Sequence, residues 1–402
     1  MRLDHAARLE RLLARHDDIQ QVPGLSGNGT LIRKDQLLVV SRDADAVHQQ
    51  ASRWVERREN DPAGFSVLHL RPQAKIDVCE LSASLSGDAR HKRVNAGPNH
   101  VLTASPGWIP GPFDDPAPVD DIPSPPSDDR TFQREVTVAI LDTGISDHAW
   151  FTDRKWFASC GTDVREVPDA DADTRLDSVA GHGTFIAGVV LKQAPEANLI
   201  VERVIAGDGV TDEYELLRGL AKLRKHASES KMIVDVVSLS LGCYTHDDKP
   251  SPVLEHALSA FDHHTVIVAC AGNAGSDRPY WPAALKRVIA VGSLDASGRD
   301  RASFSNYGWW VDACTLGDEV VSSFFSFDGI APDGSGQSEH FNGFATWSGT
   351  SFAAPRVAGA IAARAAEQGT SAAKAAAELL DPSSRPSMPD LGVLVDVAPG
   401  VA

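Results

Sequence analysis

The sequence predicts an α/β protein with a doubly wound, mostly parallel sheet, preceded by a small α+β domain. The sheet is predicted by five short runs rich in Val and Ile: VTVAIL, NLIVERVI, VDVVSLSL, TVIVACA and RVIAVGSL. Runs that are apolar at nearly every position are typical of strands covered on both faces. Helical segments such as DEYELLRGLAKLRKHA and SPVLEHALSAF lie between several of them. Because strands alternate with helices, we expect a parallel sheet with its functional site at the carboxyl ends of the strands.

The first 104 residues have a different pattern. Two helical segments, MRLDHAARLERLLARH and ADAVHQQASRWVERR, are combined with two strand-like runs, LIRKDQLLVV and FSVLHL. Residues 105–131 are rich in Pro and Asp and bury little apolar surface, so they predict an exposed linker. We therefore expect a small α+β N-terminal domain over residues 1–104, then the linker, and then a C-terminal domain over residues 132–402.

Composition excludes several classes of partner. The 402 residues carry a formal net charge of -17, which argues against nonspecific binding to nucleic acid or to anionic membranes. No stretch approaches the roughly 18 to 20 apolar residues that span a bilayer, and the charged first segment lacks the apolar region of a signal peptide. The five cysteines are scattered and form no CxxC pair, which predicts neither a disulfide framework nor a zinc site. Together these features favour a cytoplasmic protein with free thiols.

Three candidate catalytic side chains lie at the ends of predicted elements. Asp142 ends the strand in VAILDTGIS, His182 lies between glycines in GHGTFIAG, and Ser351 opens the Ala-rich helix of WSGTSFAAPRVAGAIAA. A serine hydroxyl becomes nucleophilic beside a general base, and a carboxylate holds that base in one tautomer. Pro355, in the opening region of the same helix, is compatible with a helix start. The pattern therefore predicts acyl transfer by a Ser–His–Asp relay.

A fourth candidate, Asn273, lies in CAGNAG directly after the TVIVACA strand. Its amide is suited to donate to the oxyanion of a tetrahedral intermediate, a contact whose loss typically costs about 2.7–4 kcal/mol of transition-state stabilisation. Taken alone, each of the four residues has a simpler explanation as a turn, cap or structural residue. Their joint occurrence, in one order and at the ends of four elements, favours catalysis.

The order of these four residues within D-T-G, H-G-T, A-G-N and G-T-S-F-A-A-P resembles that of the subtilisin family, the subtilases. The match extends over roughly residues 134–368. The resemblance implies a subtilisin-like fold for residues 132–402 and serine endopeptidase activity on a peptide or protein substrate. In that chemistry Ser351 is the nucleophile, His182 is the general base and Asp142 orients the base. Asn273 would hold the oxyanion, and no cofactor is required.

The resemblance also implies residues that contact the substrate backbone. They are Ser240, Leu241 and Gly242 of VVSLSLG, and Gly272 of CAGNAG. The sequence departs from the family pattern at two places, since Phe352 replaces a common methionine and Trp281 replaces the usual tyrosine. Neither departure removes a catalytic group.

The N-terminal domain resembles a subtilase propeptide in its position, its size and its α+β pattern. RVNAGPNHVLTA is the candidate terminal strand leading toward the active site, with cleavage somewhere in residues 98–131. On this hypothesis the domain is an intramolecular inhibitor or folding aid, and the protein's own N-terminal domain is one of its partners. The alternative is a permanent accessory domain that recruits other proteins.

Three further alternatives stay open at this point. The acidic segment DVREVPDADADTRLD is suited to bind structural calcium or basic substrate residues, or is simply a solvated loop. A peptide-binding regulatory module would keep the scaffold without catalysis. A transpeptidase or peptide cyclase would pass the same acyl-enzyme to an amine instead of water.

Overall fold

The computed structural model describes residues 5–24, 29–74, 76–87, 94–104, 115–127, 130–170, 172, 174–330 and 338–395. Its α-helices are α1 (His5–Arg15), α2 (Ala44–Ala51), α3 (Val78–Gly87), α4 (Lys155–Ala158), α5 (His182–Gln193), α6 (Glu213–Ser230), α7 (Pro252–Ser259), α8 (Thr350–Gln368) and α9 (Ala372–Leu379). Its strands are β1 (Ile19–Val22), β2 (Thr30–Val40), β3 (Val55–Asp61), β4 (Phe65–Leu70), β5 (Ala96–Thr103), β6 (Ala117–Pro118), β7 (Thr137–Asp142), β8 (Asn198–Arg203), β9 (Val210–Asp212), β10 (Val236–Leu239), β11 (Val266–Cys270), β12 (Val288–Leu294), β13 (Ala313–Leu316), β14 (Val320–Ile330), β15 (Ser338–Trp347), β16 (Ser387–Met388) and β17 (Gly392–Leu394).

The first five strands form one antiparallel sheet with α2 and α3 packed on it. The strand order is β3-β4-β2-β5, and β1 pairs with β2. At its outer edge β5 pairs antiparallel with β9, which comes from the C-terminal part of the chain. The N-terminal sheet is therefore continuous with a strand that lies beside the predicted active site.

One predicted helix of this region is wrong in its second half. The segment ADAVHQQASRWVERR forms α2 only as far as Ala51, and the chain from Val55 onward is β3. β3 pairs antiparallel with β4 across a turn in which Gly64 adopts a φ of 97°. The ladder of hydrogen bonds in this hairpin outweighs the local helical pattern, which is a weak preference that tertiary context overrides.

The C-terminal part of the chain confirms the predicted fold class. Its large sheet has the order β16-β17-β13-β12-β11-β10-β7-β8, and all of its pairings are parallel except that of β16 with β17. From β7 the chain adds β8 on one side and then β10 on the other, so the direction of winding reverses between β7 and β10. In open α/β sheets, ligand sites form at the carboxyl ends of strands at such a reversal. Asp142 is the last residue of β7 and Ser240 directly follows β10.

A second, antiparallel sheet was not expected from the sequence. β14 and β15 form a long hairpin, and β6 pairs with β15 on its other side. β6 belongs to the segment predicted as a linker, so this part of residues 105–131 is attached to the C-terminal domain, whereas most of residues 115–127 are exposed. Residues 105–114 of the predicted linker lie outside the described residues.

A small apolar cluster joins the N-terminal sheet to the rest of the molecule. It contains Leu12 of α1, Ile19 of β1, Leu31 of β2, Val101 of β5 and Val210 of β9. All five side chains are buried. The end of β5 is thus held between N-terminal elements and β9.

Two general expectations concern the cysteines and the membrane. All five cysteines are free, and four of them are buried. Among the described residues, none of the helices has both the length and the apolar character that crossing a bilayer demands.

Candidate active site

The structure brings Asp142 and His182 together as a hydrogen-bonded pair. The distance from His182 Nδ1 to Asp142 Oδ1 is 2.8 Å, and both side chains are almost completely buried. The same carboxylate oxygen accepts a hydrogen bond from Thr143 N at 2.8 Å. With Asp142 as its acceptor, Nδ1 carries the proton, so Nε2 is left as the basic nitrogen.

Two glycines explain why this pair forms. Gly181 precedes His182 with a φ of 84°, and a Cβ there would lie 2.2 Å from Cε2 of Phe324. Gly183 follows it, and a Cβ there would lie 2.2 Å from the carbonyl oxygen of Gly144. Only glycine fits the first backbone conformation without strain, and only glycine lets the start of α5 approach the loop after β7 so closely.

The third link of the predicted relay is not formed in this structure. His182 Nε2 is buried and has no hydrogen-bond partner among the described residues. Ser351 Oγ instead donates to the carbonyl oxygen of Ala104, at 3.1 Å. The imidazole is enclosed by aromatic rings, since the centroids of Trp347 and Phe352 each lie 5.3 Å from its own. Ser351 thus contacts the end of the N-terminal segment rather than His182.

Ser351 is the second residue of α8, as the sequence predicts, but Pro355 has a different role from the one expected. Pro355 is the sixth residue of the helix, so a residue with an N–H at this position would bond to the carbonyl of Ser351. Without that N–H the Ser351 carbonyl accepts instead from Ser240 Oγ, at 2.8 Å. This bond ties the backbone of the nucleophile to the end of β10.

Asn273 lies beside the nucleophile with its amide oriented by Thr350. Its Oδ1 accepts hydrogen bonds from Thr350 N at 2.9 Å and from Thr350 Oγ1 at 2.7 Å. Because the oxygen is occupied in this way, the Nδ2 amide is the group that the side chain offers as a donor. This orientation agrees with an oxyanion-binding role.

We expect replacement of Asn273 by Ala to lower kcat by about 10²–10³-fold, because an oxyanion donor would be lost. Asn273→Asp is the matched variant, since a carboxylate keeps both acceptor contacts with Thr350 while it replaces the donor by an oxygen and brings negative charge to the oxyanion position. Steady-state kinetics on a peptide substrate would give kcat and KM for both variants. A near-normal kcat in Asn273→Asp would contradict the role.

The residues implied for substrate contact lie around the end of β5. Thr103 N donates to Gly242 O at 2.9 Å, and Gly242 N donates to Thr103 O at 3.1 Å. On the other side, Leu102 pairs with Thr211 of β9. The chain before Ala104 is therefore the middle strand of three.

Gly242 pairs with Thr103 of the same chain, and the structure likewise shows contacts within the chain for the other three residues. Ser240 supports the Ser351 carbonyl, and the Leu241 side chain is completely buried in the core. Gly272 N donates to Thr350 Oγ1 at 3.0 Å. Substrate contact by Ser240, Leu241, Gly242 and Gly272 stays a prediction.

Comparison with known proteins identifies the family of the chain. Residues 133–384, more than half of the chain, match the sequence profile of the subtilase family. The chain belongs to this family. The subtilase is 33% identical over 237 residues to subtilisin BL of Lederbergia lenta, a match that covers 56% of this chain and 75% of that protein. The predicted family is confirmed.

Two further matches concern a longer relative and a solved structure. The subtilase is 32% identical over 243 residues to a thermophilic serine proteinase of Bacillus sp. (strain AK1), a match that covers 58% of this chain and 52% of that protein. It therefore spans about half the length of that relative. The crystal structure of a lanthipeptide protease is 24% identical, with a TM-score of 0.49, over 65% of this chain and 85% of that one.

Two cysteines lie close to the site of the subtilase but are poor nucleophiles. Burial raises the pKa of Cys270 to about 12 and raises the pKa of Cys243 well above its ordinary value. Both thiols are therefore protonated at neutral pH, and a thiol reacts far more slowly than a thiolate. This leaves the Ser351 hydroxyl as the candidate nucleophile.

The acidic loop of the subtilase makes hydrogen bonds of its own. Asp169 Oδ2 accepts from Thr174 N at 2.9 Å, and Asp177 Oδ2 accepts from Ala170 N at 3.0 Å. Among the described residues, one group of three metal-ligating side chains lies close enough together to bind a single ion. It consists of Asp262, His263 and His264, which are exposed on the surface. Calcium binding by the loop stays an untested hypothesis, since residues 171 and 173 lie outside the described residues.

Sequence reasoning missed two residues of the site. Ala104 fell within the broad range 98–131, but no local pattern distinguished it as the residue whose carbonyl meets the nucleophile. Glu166 was grouped with the other acidic residues of its loop, although its carboxylate bonds to Thr143 and Thr184, next to the catalytic pair. The segment around Glu166 gave no indication of these contacts, because the partners of its carboxylate belong to the D-T-G and H-G-T motifs.

Proposed function

We propose that this subtilase is a serine endopeptidase that hydrolyses peptide bonds through an acyl-enzyme on Ser351. The observation that carries the proposal is the 3.1 Å contact between Ser351 Oγ and the carbonyl oxygen of Ala104. The adjoining residue, Thr103, exchanges two backbone hydrogen bonds with Gly242. A peptide carbonyl thus lies at the nucleophile while the preceding backbone is held as an extended strand.

The proposed mechanism uses the geometry described above. Ser351 Oγ turns toward His182 Nε2 and gives up its proton as it attacks the carbonyl carbon, and Asp142 stabilises the imidazolium that forms. The amide of Asn273 and the backbone N–H of Ser351 donate to the oxyanion. The imidazolium then protonates the leaving amine. Water, deprotonated by His182, hydrolyses the ester and restores the Ser351 hydroxyl.

We further propose that the N-terminal domain inhibits the enzyme to which it is attached. Its last strand occupies the cleft, and side-chain hydrogen bonds to residues near β9 hold the domain in place. His16 Nε2 lies 2.7 Å from Asp208 Oδ2, and Arg33 Nε donates to Asp212 Oδ2 at 2.7 Å. Asp208 lies just before β9 and Asp212 is the last residue of β9, so the domain covers the strand with which a substrate would pair.

The proposal predicts self-cleavage of the bond between Ala104 and Ser105. We expect intact-mass analysis of freshly purified protein to show fragments 1–104 and 105–402, whereas Ser351→Ala protein stays uncut. Self-processing follows because the carbonyl of Ala104 already lies at the nucleophile. Incubation at several protein concentrations would show whether the cut is made within one molecule, as a concentration-independent rate.

The rival functions give different results in the same experiment. A regulatory module would remain uncut, and a fluorophosphonate probe would label neither the whole protein nor residues 105–402. A transpeptidase or cyclase acting on added peptides would give products lacking one water relative to the hydrolysed ones. Either result would overturn the endopeptidase proposal.

A further inference from the structure

Glu166 lies in the acidic loop between β7 and α5, and the proposed mechanism does not use it. The backbone of the loop is fixed next to the end of β7. Ile145 N donates to Val164 O at 2.9 Å, and Glu166 N donates to Ile145 O at 3.3 Å. The position of Glu166 relative to the catalytic pair is therefore set by backbone pairing rather than by a loose surface loop.

The Glu166 carboxylate is the acceptor in all of its described hydrogen bonds. Oε1 accepts from Thr143 Oγ1 at 3.0 Å, from Thr184 N at 3.1 Å and from Thr184 Oγ1 at 3.2 Å. Oε2 accepts from Gly181 N. Burial raises the pKa of Glu166, and the nearby charge of Asp142 acts in the same direction, while these hydrogen bonds oppose the rise.

These donors flank both members of the catalytic pair. Thr143 directly follows Asp142, and its hydroxyl also accepts a hydrogen bond from Gly183 N at 2.8 Å. Gly181, which donates to Glu166 Oε2, directly precedes His182, and Thr184, which donates to Glu166 Oε1, lies two residues after it. Glu166 therefore contacts the residue after the catalytic carboxylate, and it contacts the residues around the catalytic imidazole, without contacting either group itself.

A helix start explains why a carboxylate is needed here. The first N–H groups of a helix have no partner within the helix, and the residue before α5 is Gly181, which has no side chain to cap them. Glu166 supplies the acceptor for Thr184 N from outside the helix, while Gly183 N donates to Thr143 Oγ1 and His182 N donates to Val179 O. A negative charge at a helix N-terminus is also favourable, since that end carries partial positive charge.

We infer that Glu166 is a positioning residue, whose carboxylate fixes the first turn of α5 against the end of β7 so that His182 and Asp142 keep their productive geometry. The inference rests on the proposed function. If it is right, loss of the carboxylate lets the imidazole shift relative to Asp142 and to Ser351. Displacements of about 1 Å in a catalytic group can cost about 10²-fold in rate.

The test compares Glu166→Ala and Glu166→Gln with matched variants of another glutamate. Glu202 on β8 is the control, because burial raises the pKa of Glu202 as well and its Oε2 lies 2.7 Å from Lys222 Nζ. Glu202→Ala and Glu202→Gln thus remove a comparable carboxylate that does not touch the first turn of α5. The readouts are kcat and KM per fluorophosphonate-reactive site, the rate of self-cleavage, and the melting temperature.

We expect Glu166→Ala to lower kcat per reactive site by about 10- to 100-fold, with KM nearly unchanged. Glu166→Gln should lose less, since its amide keeps one acceptor but opposes a donor with an N–H. The rate of self-cleavage should be lower in Glu166→Gln than in the wild type, and lowest in Glu166→Ala. This rate reports on the chemical step even where a variant yields little cleaved enzyme. The Glu202 variants should keep the wild-type kcat.

The outcomes separate the two proposals. If Glu166 served stability alone, its variants would melt at lower temperature but keep the wild-type kcat per reactive site, as the Glu202 variants do, and the inference would be wrong. A Glu166→Gln protein that folds, with wild-type rates of hydrolysis and self-cleavage, would likewise overturn it. A wild-type protein that neither self-cleaves nor hydrolyses peptides would instead overturn the proposed function.

Discussion

Replacement of Ser351 by Ala is expected to abolish peptide hydrolysis and fluorophosphonate labelling while leaving the fold intact. Members of a catalytic triad act as one unit, so loss of the nucleophile should lower kcat by roughly 10⁶-fold. The structural change is small, because the substitution removes only the hydroxyl and its hydrogen bonds, such as that to Ala104 O. Such a bond contributes about 1 kcal/mol to stability. Kinetics, probe labelling and thermal melting would be measured on the same preparations.

Ser293→Ala is the matched control for this substitution. Ser293 is also fully buried, but its hydroxyl donates to the carbonyl oxygen of Leu294 on β12. We expect Ser293→Ala to keep activity and labelling. Ser351→Ala protein that cleaved peptides at the wild-type rate would show that another group is the nucleophile.

The second large effect is expected for Asp142→Asn, which should lower kcat by about 10⁴-fold. The asparagine keeps the size of the side chain but places an amide opposite His182 Nδ1. The imidazole is then favoured in the tautomer that protonates Nε2, and that nitrogen no longer accepts the proton of Ser351. Steady-state kinetics across a range of pH would measure the loss.

Asp235→Asn provides the comparison for this prediction. Asp235 is buried near the start of β7, where its carboxylate bonds to Arg134 Nη2 at 2.7 Å and to Thr137 N at 2.9 Å. Its loss should lower the melting temperature with little change in kcat. Equal losses of kcat in the two variants would mean that Asp142 acts through stability rather than through His182.

The parts of the fold that could be predicted depend on local pattern. The strands that became β7, β8, β10, β11 and β12 are buried on both faces, so each is marked by a continuous apolar run in its own sequence. The four candidate catalytic residues were found for a related reason. Each lies within a short motif at the end of such an element, and the structure brings Asp142 and His182 into contact.

The features that escaped prediction depend on partners distant in the sequence. The chain after Val55 becomes a strand because it pairs with β4, and Ala117 becomes a strand because it pairs with Thr346 of β15. Ala104 matters because α1 and β9 enclose the strand before it. Neither a period of two nor a helical period in the local sequence carries that information.

Because β5 is paired on both of its edges, cleavage of the chain after it and opening of the cleft are two separate events. The backbone bonds of Thr103 to Gly242, the pairing with β9 and the buried cluster around Val101 all lie before the Ala104–Ser105 bond. Cutting that bond therefore removes none of them. After the proposed cut, the N-terminal domain would stay bound in the cleft. The cleft would become accessible only when that domain unfolds or is degraded.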